Sequence, residues 1–296
     1  MSNIVSFDYA IKNLLRNKGD YDIVEGFISI ILKDAGYSAV KIKAVLESAS
    51  NKEKETLKSS VADVVVEDEQ GHKYIVEIDR SHTDLFLKKA CFNSSRLIVD
   101  SISKGEDYAT IKKVFHINLL YFPFANMKVP LYHGKTIFRE VDREHPMHLH
   151  LADMGGRIFD NYNLFPEYFV ISVPLFDDVV KDEMDEWLYM TKHSEVREDF
   201  KSPYMKKIAE KLSILKMTPK ELKAYRDYMN KTLKERDYIV SAEEKGKAEG
   251  KAEGKAEGKA ELLKMMIKQG KSVKQVAEFT GLSEEEIEKL KEEKDE

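Results

Sequence analysis

VADVVVEDEQGHKYIVEID, residues 61–79, decides the fold. Two runs rich in Val and Ile, Val61–Asp68 and Lys73–Asp79, flank the polar stretch Glu69-Gln70-Gly71. Such runs, bounded by turn residues, read as buried strands joined in a hairpin. A three-residue hairpin loop usually ends on a residue in the left-handed region, most often Gly. With Gly71 there, Asp68 faces His72, and the same register sets Asp63 opposite Glu77. Directly opposed side chains have Cβ atoms about 5 Å apart, and like charges at that spacing repel. A positive charge between them removes the cost, and hard divalent cations take carboxylate oxygens. Glu77 and Asp79 are two apart, so they share a strand face, while Val64, Val76 and Ile78 project to the other. Three carboxylates gather on one face and the opposite face enters the core.

Outward from the hairpin, the sequence predicts a first helix over Phe7–Arg16 with Ser6 as its cap, and a second from Tyr21 to Ala35 whose apolar face holds Ile23, Phe27, Ile30 and Ile31. Glu25 lies in that second helix; it is either a further carboxylate for the site or a solvent-facing residue at the helix edge. A strand near residues 40–46 and a polar loop over 48–55 precede the hairpin. Beyond it come a helix over 82–101 and strands over 113–122, 131–138 and 165–173. The strands then stop, and helices are expected over 177–193, 204–215 and 218–237. Helices, then a mixed sheet, then a helical tail describe an α/β sandwich-like core followed by a helical region. The divisions are 1–175 for the core, 176–240 for a helical extension, 241–262 for a repeat and 263–296 for a small helical hairpin.

The repeat is Gly246–Glu261, GKAEGKAEGKAEGKAE. A four-residue period advances about 400° per repeat on a helix, so each residue type forms a slowly winding stripe. Lys recurs four residues from Lys and Glu four from Glu, which is repulsive within one helix. Each Gly costs about 1 kcal/mol relative to Ala. A lone helix here is weak, and the segment is either a helix that joins others in a homo-oligomer or a frayed linker. After it, Ser272–Leu290 reads as two short helices around Gly281, with Ser283 and Glu286 fitting a capping box. This is similar to a helix-turn-helix pair. Its second helix begins with Glu284, Glu285 and Glu286, which phosphates repel, so a protein-contact or capping role is the better reading.

The chain has 296 residues, 34% charged and 42% hydrophobic, enough for a solid core in a very polar coat. Its net charge of −5 does not advertise nucleic-acid binding. Residues 241–296 carry most of that negative charge, which leaves room for a basic groove elsewhere. A single cysteine, Cys91, makes no internal disulfide and fits a reducing cytoplasm. The N-terminus lacks the basic start and apolar run of a signal peptide, and no apolar stretch is long enough to span a membrane. These features predict a soluble cytoplasmic protein.

Asp63–Asp68, Gly71 and Ile75–Asp79 resemble the D…(D/E)-x-K motif of the restriction-endonuclease-like superfamily. More narrowly, the chain is similar to the bacterial recombination-promoting nuclease and transposase family. Counterparts extend to FDYAIKNLLRNK (7–18), DIVEGFI (22–28), LES (46–48), SRLI (95–98), GEDY (105–108), FPEYF (165–169), DEWLY (185–189) and the Lys/Glu/Gly-rich tail. The resemblance implies a mixed sheet flanked by helices and a Mg²⁺-dependent DNA endonuclease associated with recombination or mobile elements. It places the metal on Asp63 and Glu77, with Glu25 as the helix acid. The alternative is a catalytically degenerate relative that binds DNA or protein partners. The third motif position departs from the family, since Asp79 stands where Lys or Gln is usual. The Arg common before the first acid is also missing; Ser59, Ser60 and Val61 stand there. Two outcomes are open: Asp79 joins the site, with Arg80, Lys88 or Lys89 supplying the positive charge to phosphate, or the site is impaired.

Other candidates are weaker. His148 and His150 share a strand face but read as ordinary surface histidines rather than zinc ligands. Cys91, beside Phe92, reads as buried packing, and Trp187 as a core anchor.

Overall fold

The computed structural model of the protein describes residues 2–15, 21–46, 62–80, 85–103, 105–139, 141, 150–152, 158–160, 164–285 and 287–288. In chain order, β1 (Ser2–Asn3) leads into α1 (Phe7–Tyr9), which widens into a π-helical stretch, Ala10–Leu15. Then follow α2 (Asp22–Lys33), β2 (Ile42–Leu46), β3 (Val64–Asp68), β4 (Lys73–Asp79) and α3 (Phe86–Val99). After these come β5 (Val114–Leu120), β6 (Leu131–Gly134), β7 (His150–Ala152), β8 (Ile158–Asp160) and β9 (Glu167–Ser172). The helical part holds α4 (Glu183–His193), the short strand β10 (Glu195–Val196), α5 (Pro203–Lys211), α6 (Pro219–Lys268) and α7 (Val273–Thr280). Two compact units divide the chain, Met1–Asn230 and Lys231–Glu296.

The first unit is built on a six-stranded sheet ordered β2-β3-β4-β5-β9-β6. β2, β3 and β4 pair antiparallel, β4-β5-β9 run parallel, and β6 closes the edge antiparallel. Parallel neighbours need a crossover, and α3 provides it between β4 and β5. Strand alternation then sorts the side chains. Val64, Val66, Tyr74, Val76, Ile78, Ile117 and Phe169 face the main core, where α1, α2 and α4 pack. Trp187 of α4 is fully buried there against Phe7, Phe27 and Tyr204, as its sequence context predicts. The other sheet face holds Val65, Ile75 and Val114, against which Leu97 and Ile98 of α3 pack.

The hairpin follows the expected register. Val64 pairs with Val76, Val65 with Ile75 and Val66 with Tyr74, and Asp68 N donates to His72 O at 3.0 Å. Gly71 has φ +84°, the left-handed conformation on which that register rests.

Several elements differ from the sequence expectation. The first helix is α-helical for only three residues before it widens, and Ser6, though at its N-cap, makes no side-chain cap. The helix expected from 177 begins at Glu183, because Asp182 and Asp185 form a capping box that fixes its start. Strands do not end with β9, since β10 pairs with β1. The polar loop at 48–55 lies outside the described residues.

In the second unit, Leu263, Val276 and Ile287 form a small apolar core. α7 opens on a capping box of Ser272 and Gln275 and closes on Gly281 at φ +72°. The capping box expected at Ser283 falls partly outside the described residues, since Glu286 is not among them. The KAEG repeat is helical, within α6, and apart from their chain neighbours and the helix's own backbone no atom of the described residues lies within 4 Å of where a Cβ would stand on Gly246, Gly250, Gly254 or Gly258.

Candidate functional site

One further step of the β3–β4 register sets Asp63 opposite Glu77, at the end of the hairpin away from its turn. Asp63 precedes β3, and its Oδ2 accepts the backbone N–H of Ile78 at 2.8 Å. Lys12, from the π-helical stretch, brings its Nζ to 3.3 Å from the same oxygen and donates to the carbonyl of Ile78 at 3.4 Å. Glu77 is almost completely buried beneath α3. Lys89 of α3 sets its Nζ 2.6 Å from Glu77 Oε2, and Asn93, one turn on, donates to Oε1. Lys89 also lies 3.8 Å from Asp79 Oδ1, whereas Asp79 Oδ2 is buried with no hydrogen-bond partner among the described residues. Asn118 sits beside Glu77 in the parallel register, and its buried Nδ2 likewise has no partner among those residues.

The electrostatics follow from this packing. Burial pushes the Glu77 carboxyl up from the usual range, opposed by Lys89 and reinforced by the charges of Asp79 and Asp63. Burial alone would lower Lys89, but its bond to Glu77 and the charges of Glu77, Asp79 and Asp63 hold it above its ordinary value. All three carboxylates thus act on one ammonium. Behind them His116, fully buried, is pushed down to about 3, first by burial and then by the charge of Lys89. It is neutral and bonds Ser94 of α3 at 2.9 Å through Nδ1.

The structure sorts the residues singled out in the sequence. Asp63, Glu77 and Asp79 share one end of the hairpin. Glu25 does not join them. It is buried in α2, where Oε1 accepts the N–H of Ile42 at 2.8 Å and Oε2 meets Lys41 at 3.0 Å. Ile42 pairs with Asp68, five residues along the strand from Asp63, so roughly 17 Å of extended chain separates Glu25 from the acids. Neither the ligand reading nor the solvent-facing reading of Glu25 holds; it anchors the start of β2.

Among the three cations, only Lys89 reaches the acids. Arg80 is committed to Asp8, with Nε at 2.7 Å and Nη2 at 2.5 Å, and lies over the ring of Tyr121. Lys88 is exposed on the outer side of α3. Cys91 is exposed, against expectation, as is its neighbour Phe92, because α3 buries Phe86, Ala90, Asn93 and Ser94 and turns the intervening residues outward. His148 lies outside the described residues, and His150 opens β7.

Sequence reasoning missed Lys12 and Asn93. The signal for Asn93 was its i+4 spacing from Lys89, which puts both on one helix face. Lys12 stands i+4 from Asp8 in the same way, but its partners are 51 and 66 residues away in sequence.

Among the described residues, no three His, Cys, Asp or Glu side chains are grouped closely enough to hold a metal ion. The expected three-carboxylate convergence is therefore looser than a closed cage, since Lys89 stands between Glu77 and Asp79. Mg²⁺ is commonly held by only one or two protein carboxylates, with water and substrate phosphates completing its shell. Asp63 and Glu77 fit that requirement. The buried Asp79 Oδ2, without a partner among the described residues, is a further hard oxygen on the same strand face.

A mixed six-stranded sheet flanked by helices, with an antiparallel hairpin carrying the acids, defines a restriction-endonuclease-like α/β fold. The chain belongs to the PD-(D/E)XK nuclease family transposases, whose pattern matches residues 5–152, half of its length. Members of this nuclease superfamily generally use divalent metal ions. No curated protein and no solved structure matches the chain. Among the described residues, no helix is long and apolar enough to cross a membrane.

Proposed function

We propose that this protein is a divalent-metal-dependent endonuclease that hydrolyses DNA phosphodiesters, in keeping with a transposase or recombination role. The observation that carries the reading is the Asp63–Glu77 pair with the Lys89 ammonium at 2.6 Å from Glu77. Asp63 and Glu77 would hold Mg²⁺, which supplies an activated water and offsets charge on the scissile phosphate. The Ile78 N–H fixes the orientation of Asp63, and Asn93 fixes that of Glu77. α3 covers the Glu77 side of the site and limits water there. Lys89 stands in for the motif lysine that Asp79 displaces, and can donate a charge-assisted hydrogen bond to a phosphate oxygen. The test is nicking of supercoiled DNA with Mg²⁺. Wild type should relax the plasmid and Asp63→Ala should lose at least a hundredfold in rate; equal rates would refute the reading.

A second reading follows from Asp79 itself, an extra acid where a phosphate must approach. On it the protein is an impaired relative that binds DNA or protein without cutting. Asp79→Lys gaining nicking activity over an inert wild type would support it. The KAEG helix and small helical unit are then candidates for self-association, which light scattering of the full chain against a chain ending at residue 240 would detect.

A further inference from the structure

Each acid proposed as a metal ligand already holds an ammonium. Lys12 pairs with Asp63, just before β3, and donates to the Ile78 carbonyl of β4. Lys89 bonds Glu77 and borders Asp79. The two lysines come from different elements on opposite sides of the sheet, a π-helical stretch and α3. π-helical turns occur frequently at functional sites. Both lysine side chains remain partly exposed, at 29% and 41%, so each retains freedom to move. Formally, three carboxylates and two ammonium groups leave the cluster with one net negative charge, which opposes a phosphate. Were the lysines to stay in place, a metal ion would meet carboxylates already paired.

We propose that Lys12 and Lys89 are exchangeable internal cations, pairing with Asp63 and Glu77 in the metal-free protein and turning to the DNA phosphate when a divalent ion takes over those carboxylates. The proposal rests on the nuclease reading and adds to it a coupling between metal and DNA binding. With the dication present, the cluster and the ion together carry one net positive charge, and two freed ammonium groups border the phosphate path. Competition for one carboxylate must appear in both equilibria, because linkage is reciprocal. Removing a lysine therefore tightens metal binding while it weakens DNA binding. A lysine that only held the fold together would weaken both.

The test is calorimetric titration of Ca²⁺ into the full-length protein, with fluorescence anisotropy of a DNA duplex in saturating Ca²⁺ as the second readout. Lys12→Met and Lys89→Met are measured separately, each with a circular dichroism melt, so that one unfolded variant does not decide the result. Each is expected to bind Ca²⁺ about tenfold more tightly and DNA about tenfold more weakly than wild type. Unchanged or weaker Ca²⁺ binding in the folded variants overturns the proposal. Asp63→Ala separates the two levels. If it binds Ca²⁺ as wild type does, or if wild type binds none, the metal site itself is refuted and the proposal falls with it. If Ca²⁺ binding depends on Asp63 but not on the lysines, the nuclease reading stands and the exchange does not occur.

Discussion

Replacing Arg80 with Leu should destabilise the first unit strongly. Asp8 is completely buried, and both its oxygens bond the Arg80 guanidinium. Tyr228 OH adds a third bond to Oδ2. Burial pushes the Asp8 carboxyl up, yet Arg80, Tyr228 and Ser6 together hold it below its ordinary value. Removing one member of a buried pair costs about 3–5 kcal/mol, because the other charge is left uncompensated. Arg80 is 29% exposed and Tyr228 remains, so the low end, about 3 kcal/mol, applies. At about 2–4 °C per kcal/mol for a unit of this size, the melting temperature should fall by roughly 6–12 °C. Urea unfolding of the full chain, followed by circular dichroism, measures the change. A cycle with Asp8→Leu completes the argument: the double variant should recover at least about 1 kcal/mol relative to the sum of the single changes. A loss below about 1 kcal/mol for Arg80→Leu, or strict additivity in the cycle, would refute the assignment of Arg80 as a structural partner and return it to the pool of phosphate contacts.

Two further outcomes are expected. Asp8, Asp68 and Glu167 each have a depressed carboxyl pKa, since burial raises it but Arg80, His72 and Lys113 respectively outweigh that. Their stabilising contribution is fully present above the unfolded carboxylate range, about 4, and is lost as the pH falls through the depressed folded values. Asp8→Asn should therefore flatten the acid limb of stability plotted against pH; limbs of equal slope would show that Asp8 does not contribute. Gly26→Ala places a Cβ 2.5 Å from Cδ1 of the Tyr204 ring, which itself packs against Trp187. Ala gains about 1 kcal/mol in helix propensity, but overpacking typically costs about 1–3 kcal/mol, so net destabilisation is expected. A stabilised variant by urea titration would contradict it.

The sequence reading succeeded where one local rule determines the outcome. A glycine able to take positive φ at residue 71 set the register, and the register carried Asp63 to Glu77. Trp187 was legible because large aromatics in amphipathic helices are buried. The reading failed where tertiary partners override local pattern. Glu25 looked like a spare acid until the N–H of Ile42 claimed it. Cys91 looked buried because its neighbour Phe92 suggested an apolar face, yet the interior of α3 runs through Ala90, Asn93 and Ser94. Two polar residues on that face were invisible as core positions, although they serve Glu77 and His116. Lys12 could not be foreseen at all, because nothing near residue 12 in the sequence announces a carboxylate at 63.

The grip of α6 on the N-terminal segment also governs when this protein can assemble. Ser6 N donates to Tyr225 OH, Ser6 Oγ meets Met229 Sδ, and Tyr228 bonds Asp8, contacts that span 219, 223 and 220 residues of sequence. Chains grow at about 5–20 residues per second, so the segment bearing Asp8 and Lys12 waits roughly ten to forty-five seconds for its partners to be synthesised. Until then the Asp8 carboxylate lacks Tyr228, and the segment that delivers Lys12 to Asp63 lacks its contacts with α6. The hairpin that bears the acids is thus synthesised well before the α6 contacts that complete the hold on the segment carrying Lys12.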